Sequence, residues 1–452
     1  MVVFADILEV EGELALARMV VIADDLTGAA DSAASSAALG CKAAVVLYSP
    51  QHRDSELPWL DADILAIDAN SRCLCSEEAS QRTAHLVTLC ESQNRNAGEY
   101  TLFKKIDSTL RGNIAYELAA VLHARRANTP STSRISILMA PALPAQGRTT
   151  VDGRLLVHGV PLEQTDIWKT EARPAESNIA RLLAVAGLSC GLIDLQTVRS
   201  DSAEIGRAIV NSAEHVDVVV CDAETEDDLH AIAEASSNEP AITALAGSAG
   251  LASQVGRTMS IGRDLEPYRS GFASGSTLFV IGTTASLSRE QARILETMPN
   301  VSTFHATPAA IHNSSAIATQ IIQSLQAHRD VLLVFDGAEN CSKLEEQRLW
   351  DALVNLASRC APYLGGLVAS GGETAREVLD ALGIRQLHLL GEVEAGLPFS
   401  VAGCWDRPLP VITKAGAFGS PQALVHCINF LRQLKRMPVK VHPADPSLHY
   451  KS

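Results

Sequence analysis

The sequence predicts an α/β protein of two domains, each a mostly parallel sheet flanked by helices, with the active site in the interdomain cleft. Three observations carry this. Short runs rich in Val, Ile and Leu recur with helical patterns between them, which is the signature of βαβ units. Bursts of polar and charged residues follow directly after several of those runs, where α/β proteins place ligands, at the carboxyl ends of parallel strands. A stretch interrupted by Pro267, Gly271 and Gly275 divides the chain into two such series.

The first series opens with a buried strand over 19–23, followed by Asp24-Asp25-Leu26-Thr27-Gly28 and an Ala/Ser-rich helix that ends near Leu39 with Gly40 as its stop. Adjacent carboxylates at a strand end repel each other, so a metal, a Lys or a bound hydroxyl has to compensate unless one simply caps the helix. Strand-like runs follow at 43–47 and 64–67, then at 101–103. The last leads into Lys104-Lys105-Ile106-Asp107-Ser108-Thr109-Leu110-Arg111-Gly112 and a helix over about 113–126. Cations and hydroxyls gathered in one strand–helix connection suit a small anionic, hydroxylated ligand, because Arg grips a carboxylate through a planar fork. After a strand at 135–139, the Pro- and Gly-dense segment 140–153 reads as a fixed loop carrying Arg148, Thr149 and Thr150, continued by 157–162 with His158. Further strands are expected at 191–193, 216–220 and 241–245. The small residues 246–251 after the last read as strand–helix packing.

The layout is thus an extension (1–18), a first domain (19–256), a linker (257–277), a second domain (278–437) and a tail (438–452). The first strand begins at Met19, so that Met is expected to be the natural start, and N-terminal mass spectrometry of native protein decides it. The second series has strands at 278–281, 331–335, 366–369 and 411–413. Residues 365–374 run through a Gly turn into a helix, and exposed amides at such a helix start bind anions. Residues 414–421 read as a second such site, with Ser420 as N-cap and Pro421 in the first turn. No Gly-x-x-x-x-Gly-Lys-Ser/Thr loop, protein-kinase motif set or dinucleotide fingerprint occurs, so any nucleotide site is of another design.

A net charge of −15 and 4 % aromatic residues argue against nucleic-acid and anionic-membrane partners. The ten Cys are scattered and read as reduced and buried in a cytoplasmic protein; Cys73-Leu74-Cys75 lacks the second pair of a zinc site.

Three co-ordered motifs resemble the sugar-binding half of the four-carbon acid sugar kinase family: Asp24-Asp25-Leu26-Thr27-Gly28-Ala29, Lys105–Gly112, and Pro141-x-x-Pro-x-x-Gly147-Arg148-x-Thr150. Ser370-Gly371-Gly372-Glu373-Thr374-Ala375, Gly391-Glu392-Val393-Glu394-Ala395-Gly396-Leu397-Pro398 and Lys414-Ala415-Gly416-Ala417-Phe418-Gly419 resemble its nucleotide-binding half. The resemblance implies an ATP- and Mg²⁺-dependent enzyme that phosphorylates a hydroxyl of a four-carbon sugar acid. D-threonate or D-erythronate is favoured, over L-threonate or 3-oxo-tetronate. Asp25, Asp24 or Asp107 would accept the hydroxyl proton, with Asp25 preferred on position. Asp24, Thr27, Lys105, Asp107, Ser108, Thr109, Arg111 and Arg148 would bind the acid. Thr283, Ser286, Gly371, Gly372, Glu373, Thr374, Lys414, Gly416 and Gly419 would bind the nucleotide, and the metal ligands are left open. The two linked domains are expected to close over both substrates and exclude water. A homodimer is the default assembly. Three departures bear on nucleotide contacts: Ala285 stands where a hydroxyl is usual, Ala417 where Gly is, and Ser420-Pro421 replaces a frequently acidic pair. A metal-dependent lyase or hydrolase would leave the paired glycine turns without a role, and a sugar-acid sensor would not need the carboxylates.

Overall fold

The structure, a computed structural model, describes residues 19–51, 62–94, 100–128, 134–168, 174–237, 239–260, 271–283, 285–307, 314–335, 343–403 and 408–435. The extension 1–18 and the tail 438–452 lie outside them.

In the first half, β1 (Met19–Ala23) leads into α1 (Leu26–Ala38), β2 (Ala43–Leu47), β3 (Ile64–Asp68), α2 (Ser76–Asn94), β4 (Thr101–Lys105), α3 (Ile114–Asn128) and β5 (Ser136–Ala140). A small antiparallel sheet follows, of β6 (Arg148–Val151), β7 (Arg154–Val157) and β8 (Val160–Pro161). The segment expected to be a loop is therefore a hairpin, anchored to the main body where Thr150 pairs with Ala223. Then come α4 (Ile179–Ala184), β9 (Cys190–Ile193), α5 (Leu195–Val198), α6 (Ser202–Ala213), β10 (Val218–Cys221), α7 (Glu226–Ser236), β11 (Ile242–Gly247) and α8 (Ala249–Ser260). The eight strands β2-β3-β1-β4-β11-β5-β10-β9 form one parallel block. Strands β1, β2 and β3 are buried along their whole length, as covered parallel strands must be. At the β11–α8 junction the glycines serve packing, as expected: a Cβ on Gly247 would press on the Ala140 carbonyl, and one on Gly250 on that of Ala142.

The second half comprises β12 (Ser276–Ile281), α9 (Ser286–Glu296), β13 (Val301–Ala306), α10 (Ser314–Gln326), β14 (Asp330–Phe335), α11 (Lys343–Cys360), β15 (Leu364–Ser370), α12 (Gly372–Ala381), β16 (Gln386–Glu392), β17 (Pro398–Ala402), β18 (Leu409–Lys414) and α13 (Ala423–Leu434). Strands β13-β14-β12-β15-β18 are parallel; β17 runs antiparallel to β18, and β16, antiparallel to β17, turns back to the direction of the block. Of the segment read as a linker (257–277), residues 257–260 belong to α8 and 276–277 to β12, while 261–270 lie outside the described residues.

The two sheets do not stand apart. Strand β16 pairs antiparallel with β2, from Gln386 opposite Val46 to Leu389 opposite Ala43, and joins both halves into one sheet of 15 strands. A twist of roughly 20–25° per pairing accumulates between β18 and β1, which turns the carboxyl ends of the two opposed blocks toward a common space. Helix α1 fills the junction. Its Ala29, Ala30, Ala33, Ala34 and Ala37 are buried, and it packs against β3 and α8 of its own half and against β16 and α12 of the other. Small side chains on most faces are what allow a helix to be surrounded in this way.

A buried ion pair seals the same border. Arg376 on α12 donates to Asp68 at the end of β3 (2.7 Å), to the Tyr48 carbonyl (2.7 Å) and to Asp380 (2.7 Å). Closure of two freely hinged domains, expected from a linker, would have to break this pair and the β2–β16 ladder. Any closing movement must therefore belong to loops. Arg376→Met should lower stability by about 3–5 kcal/mol, because it strands a buried carboxylate. Urea denaturation measures this, and adding Asp68→Asn should recover much of the loss.

Candidate active site

Strands β3, β1 and β4 lie side by side with Asp68, Ala23 and Lys105 level at their carboxyl ends, and Gly247 of β11 level with Lys105. The residues just beyond these ends are thereby brought together. Asp25 is the N-cap of α1 and accepts from the Gly28 amide (2.9 Å) and the Thr27 hydroxyl (2.7 Å). Gly28 is needed there, since a Cβ would come within 2.6 Å of Asp25 and 2.9 Å of the Lys105 ammonium.

The organising group is one the sequence reading did not single out. Arg72, four residues beyond β3, donates to both oxygens of Asp24 (2.7 and 2.9 Å) and to Asp25 (2.8 Å), and lies 3.7 Å from Asp107. Burial alone would raise the Asp24 pKa, but Arg72, Lys104 and Lys105 together hold it below the usual carboxylate range. Asp107 is buried too, and Arg111 and Arg72 keep it well below that range. Arg111 grips Asp107 through Nε (2.9 Å) and Nη2 (3.0 Å), and the Thr109 hydroxyl donates to it as well. Leu110 in this loop has φ of 59°, an unfavourable value for a branched side chain, which the Leu110-to-Asp107 turn bond and burial enforce. Lys105 donates to the Ile106 carbonyl (2.9 Å), whereas Lys104 faces away and pairs with Glu117 at 3.2 Å. Arg148, brought in by the β6–β7 hairpin, donates to the Ser108 hydroxyl.

In the second half, β12, β15 and β18 are neighbours, and the turns after them converge. Gly282 abuts Thr374, and Gly416 abuts Thr283; a Cβ at either position would overlap those side chains. Gly371 adopts φ of 104° and leaves α12 without a side-chain cap. Helix α9 also starts uncapped at Ala285, whose amide is instead taken by the Thr283 hydroxyl at 3.2 Å. Ala417 is exposed and not among the residues with positive φ, so the Gly-to-Ala departure there carries no backbone strain.

Both halves line one cleft of about 920 Å³. From the first half come Asp25, Thr27, Lys105, Asp107, Ser108, Thr109, Arg111 and Arg148, with Arg72, Asp31 and His158 beside them. From the second come Thr283, Ser286 and Gly416, with Phe418. The remaining expected site residues lie elsewhere. Asp24 sits beneath the cleft, bound by Arg72. Gly371, Gly372, Glu373 and Thr374 do not line the cleft; the start of α12 faces the first half instead, with Gly372 against Asp25 and Glu373 in contact with the Cys73 thiol at 2.8 Å. Lys414 is fully buried and donates inward to Ser288 (2.9 Å) and the carbonyls of Ala415, Gly416 and Phe418. It braces the loop, and burial lowers its pKa to about 8. Gly419 packs on Ala423 and Leu397. Ser420 does not cap α13, whose N-cap is Gln422; it bonds Glu394 instead, at 2.9 and 3.0 Å. Cys73 and Cys75 are exposed, contrary to the buried reading of the cysteines.

Two family models match this chain in the same order: a sugar-binding N-terminal domain over residues 19–255 and a nucleotide-binding C-terminal domain over 278–424. The chain belongs to the four-carbon acid sugar kinase family. Family relatives include a D-threonate kinase of Cupriavidus necator, 36 % identical, with 90 % of this chain and 96 % of that one covered. A D-threonate kinase of Salmonella typhimurium is 30 % identical (92 % and 99 % covered). A D-erythronate kinase of Heliobacterium modesticaldum is 29 % identical (95 % and 100 % covered). The fold is that of a solved Haemophilus influenzae protein, with a TM-score of 0.69 at 20 % identity over 92 % of this chain and all of that one. Among the described residues no helix is long and apolar enough to cross a membrane.

One further feature of this family member is a pair of carboxyls at the border. Burial, and then the neighbouring Asp31, push Glu392 up to about 8; burial first, and Asp25 among the charges, push Asp31 to about 6. An acid whose pKa is raised in the folded state keeps its proton longer there than in the unfolded chain. Stability therefore falls as pH rises through the window from about 4.5 to 8. Glu392→Gln should melt above the parent protein at pH 8.5 and level with it near pH 4.5, as read by thermal unfolding at the two pH values.

Proposed function

We propose that this protein transfers the γ-phosphoryl group of ATP to a hydroxyl of a four-carbon sugar acid, with D-threonate the first candidate and D-erythronate the second. The observation that carries this reading is the single cleft in which Asp25, Lys105 and Arg148 from one half face Thr283, Ser286 and Gly416 from the other. The relatives that are D-threonate kinases over nearly their whole length support the choice of acid.

In this reading Arg148 and Lys105 receive the acid's carboxylate, and the Ser108 and Thr109 hydroxyls read its hydroxyls. Asp25 takes the proton of the attacking hydroxyl. Asp24 and Asp107 are weaker candidates for that task, since each is held by a forked guanidinium and kept below the ordinary carboxylate range, and Asp24 lies outside the cleft. Asp25 has cleft exposure, and its position is fixed by Gly28, Thr27 and Arg72. The start of α9, uncapped and open to the cleft, suits the nucleotide phosphates. Among the described residues no cluster of three or more metal-ligating side chains occurs, which fits a cation carried on phosphates rather than in a protein cage. Thr283 and Ser286 would hold Mg²⁺ together with the phosphates, where it would neutralise charge on the transferring group. The cytoplasm and a homodimer belong to the same reading.

Release of ADP with ATP and Mg²⁺ across D-threonate, D-erythronate, L-threonate and 3-oxo-tetronate, with glycerate and gluconate as controls, tests it. Turnover of D-threonate above the others is expected, and silence across the whole panel with ATP still bound would overturn the substrate class. Asp25→Asn should lower kcat by about 10²–10⁴-fold while ATP affinity, measured by calorimetry, stays near the parent value. Parent-like turnover in that variant would remove Asp25 from the chemistry.

A further inference from the structure

Among the described residues, Arg148 is a cleft cation with no forked carboxylate partner of the kind Arg72 and Arg111 have. Its Nη1 donates to Ser108, but its Nε is buried with no partner. Asp107 and Asp31 of its own half offset part of its charge, and from the opposite half the Phe418 ring meets it: the guanidinium carbon lies 5.6 Å from the ring centroid, within the range of a cation–π contact. That ring is rigidly mounted. The Phe418 amide donates to the Ala415 carbonyl (3.1 Å), and its own carbonyl accepts from Lys414 (3.2 Å) and Gln291 (3.1 Å). Its ring edge lies against Gly396, where φ of 78° and the space a Cβ would claim both call for Gly.

We infer that Phe418 is a positioning residue for Arg148, through which the nucleotide loop 414–419 holds the acid-binding guanidinium in place. The role assigned to Arg148 rests on the kinase reading above; the contact itself does not. Burial opposes the charge on Arg148, whose pKa is lowered for that reason first. A polarisable ring offsets part of this without consuming a donor, so the guanidinium N–H groups not used on Ser108 and not buried with Nε stay available to a carboxylate.

Two measurements test this. Steady-state kinetics of Phe418→Leu with the sugar acid that the parent enzyme accepts should show the KM for the acid raised by about 2–30-fold, with the KM for ATP unchanged. Phe418→Tyr, which keeps the ring, should restore the parent value. In the ligand-free protein, thermal unfolding of Phe418→Leu, Arg148→Gln and the double variant should give non-additive shifts, because the two groups interact directly. Additive shifts would overturn the inference, and so would a Phe418→Leu effect on the KM for ATP in place of the acid. A parent enzyme inactive on every sugar acid would sink the substrate reading alone, since the ligand-free cycle still decides whether Phe418 and Arg148 act together.

Discussion

One guanidinium holds the reactive end of this molecule together. Asp24, Asp25 and Asp107 arrive from the ends of two adjacent strands, and three carboxylates so close would repel one another or take up protons. Arg72 reaches all three: it is fork-bound to Asp24, singly bound to Asp25, and close to Asp107. The forked pair fixes the guanidinium plane, and that plane fixes where the Asp25 oxygens point. Arg111 performs the same service for Asp107 from within its own loop. The result is a difference among like groups: Asp24 and Asp107 are each held by a forked guanidinium, whereas Asp25 is held by a single bond from Arg72, and only Asp24 lies outside the cleft.

A second constraint is the way the halves are joined. A shared sheet, an alanine helix packed on most sides and the Asp68–Arg376 pair make the border a piece of core rather than a hinge. The cleft geometry is therefore built into the fold before any ligand arrives, which favours a reaction that depends on aligning two substrates. The start of α12 is part of this border. Its glycine turn, which reads in sequence as an anion site, meets Asp25 of the other half, so the nearest anion is one the protein supplies itself.

Much of this was legible. Buried strands, the capping Asp25, and the polar bursts after β1 and β4 follow from local patterns that survive in the structure because parallel strands place their ends level. Other residues have partners that local patterns do not show. Lys414 and Ser420 carry groups suited to a ligand, yet their partners are Ser288 and Glu394, remote in the chain. Arg72 was missed for the converse reason: it is a lone Arg after a short strand, with no local pattern to mark it, and its three partners lie elsewhere in the sequence. The hairpin of β6 to β8 was hidden by its Pro and Gly content, which marks turns without saying that the intervening residues pair.

Although it left out β13, β16, β17 and the β6–β8 hairpin, the sequence by itself determined the α/β class, most of the parallel strands, the family, and which side chains crowd the strand ends. These depend on periodicity and on short motifs, both of which are local. Only the tertiary structure decided that the two sheets are one, that Arg72 commands the carboxylates, and which glycine turns open into the cleft and which close the border. Those outcomes depend on which strand edges meet and on how twist turns distant strand ends toward each other, and neither is encoded in any single stretch of chain.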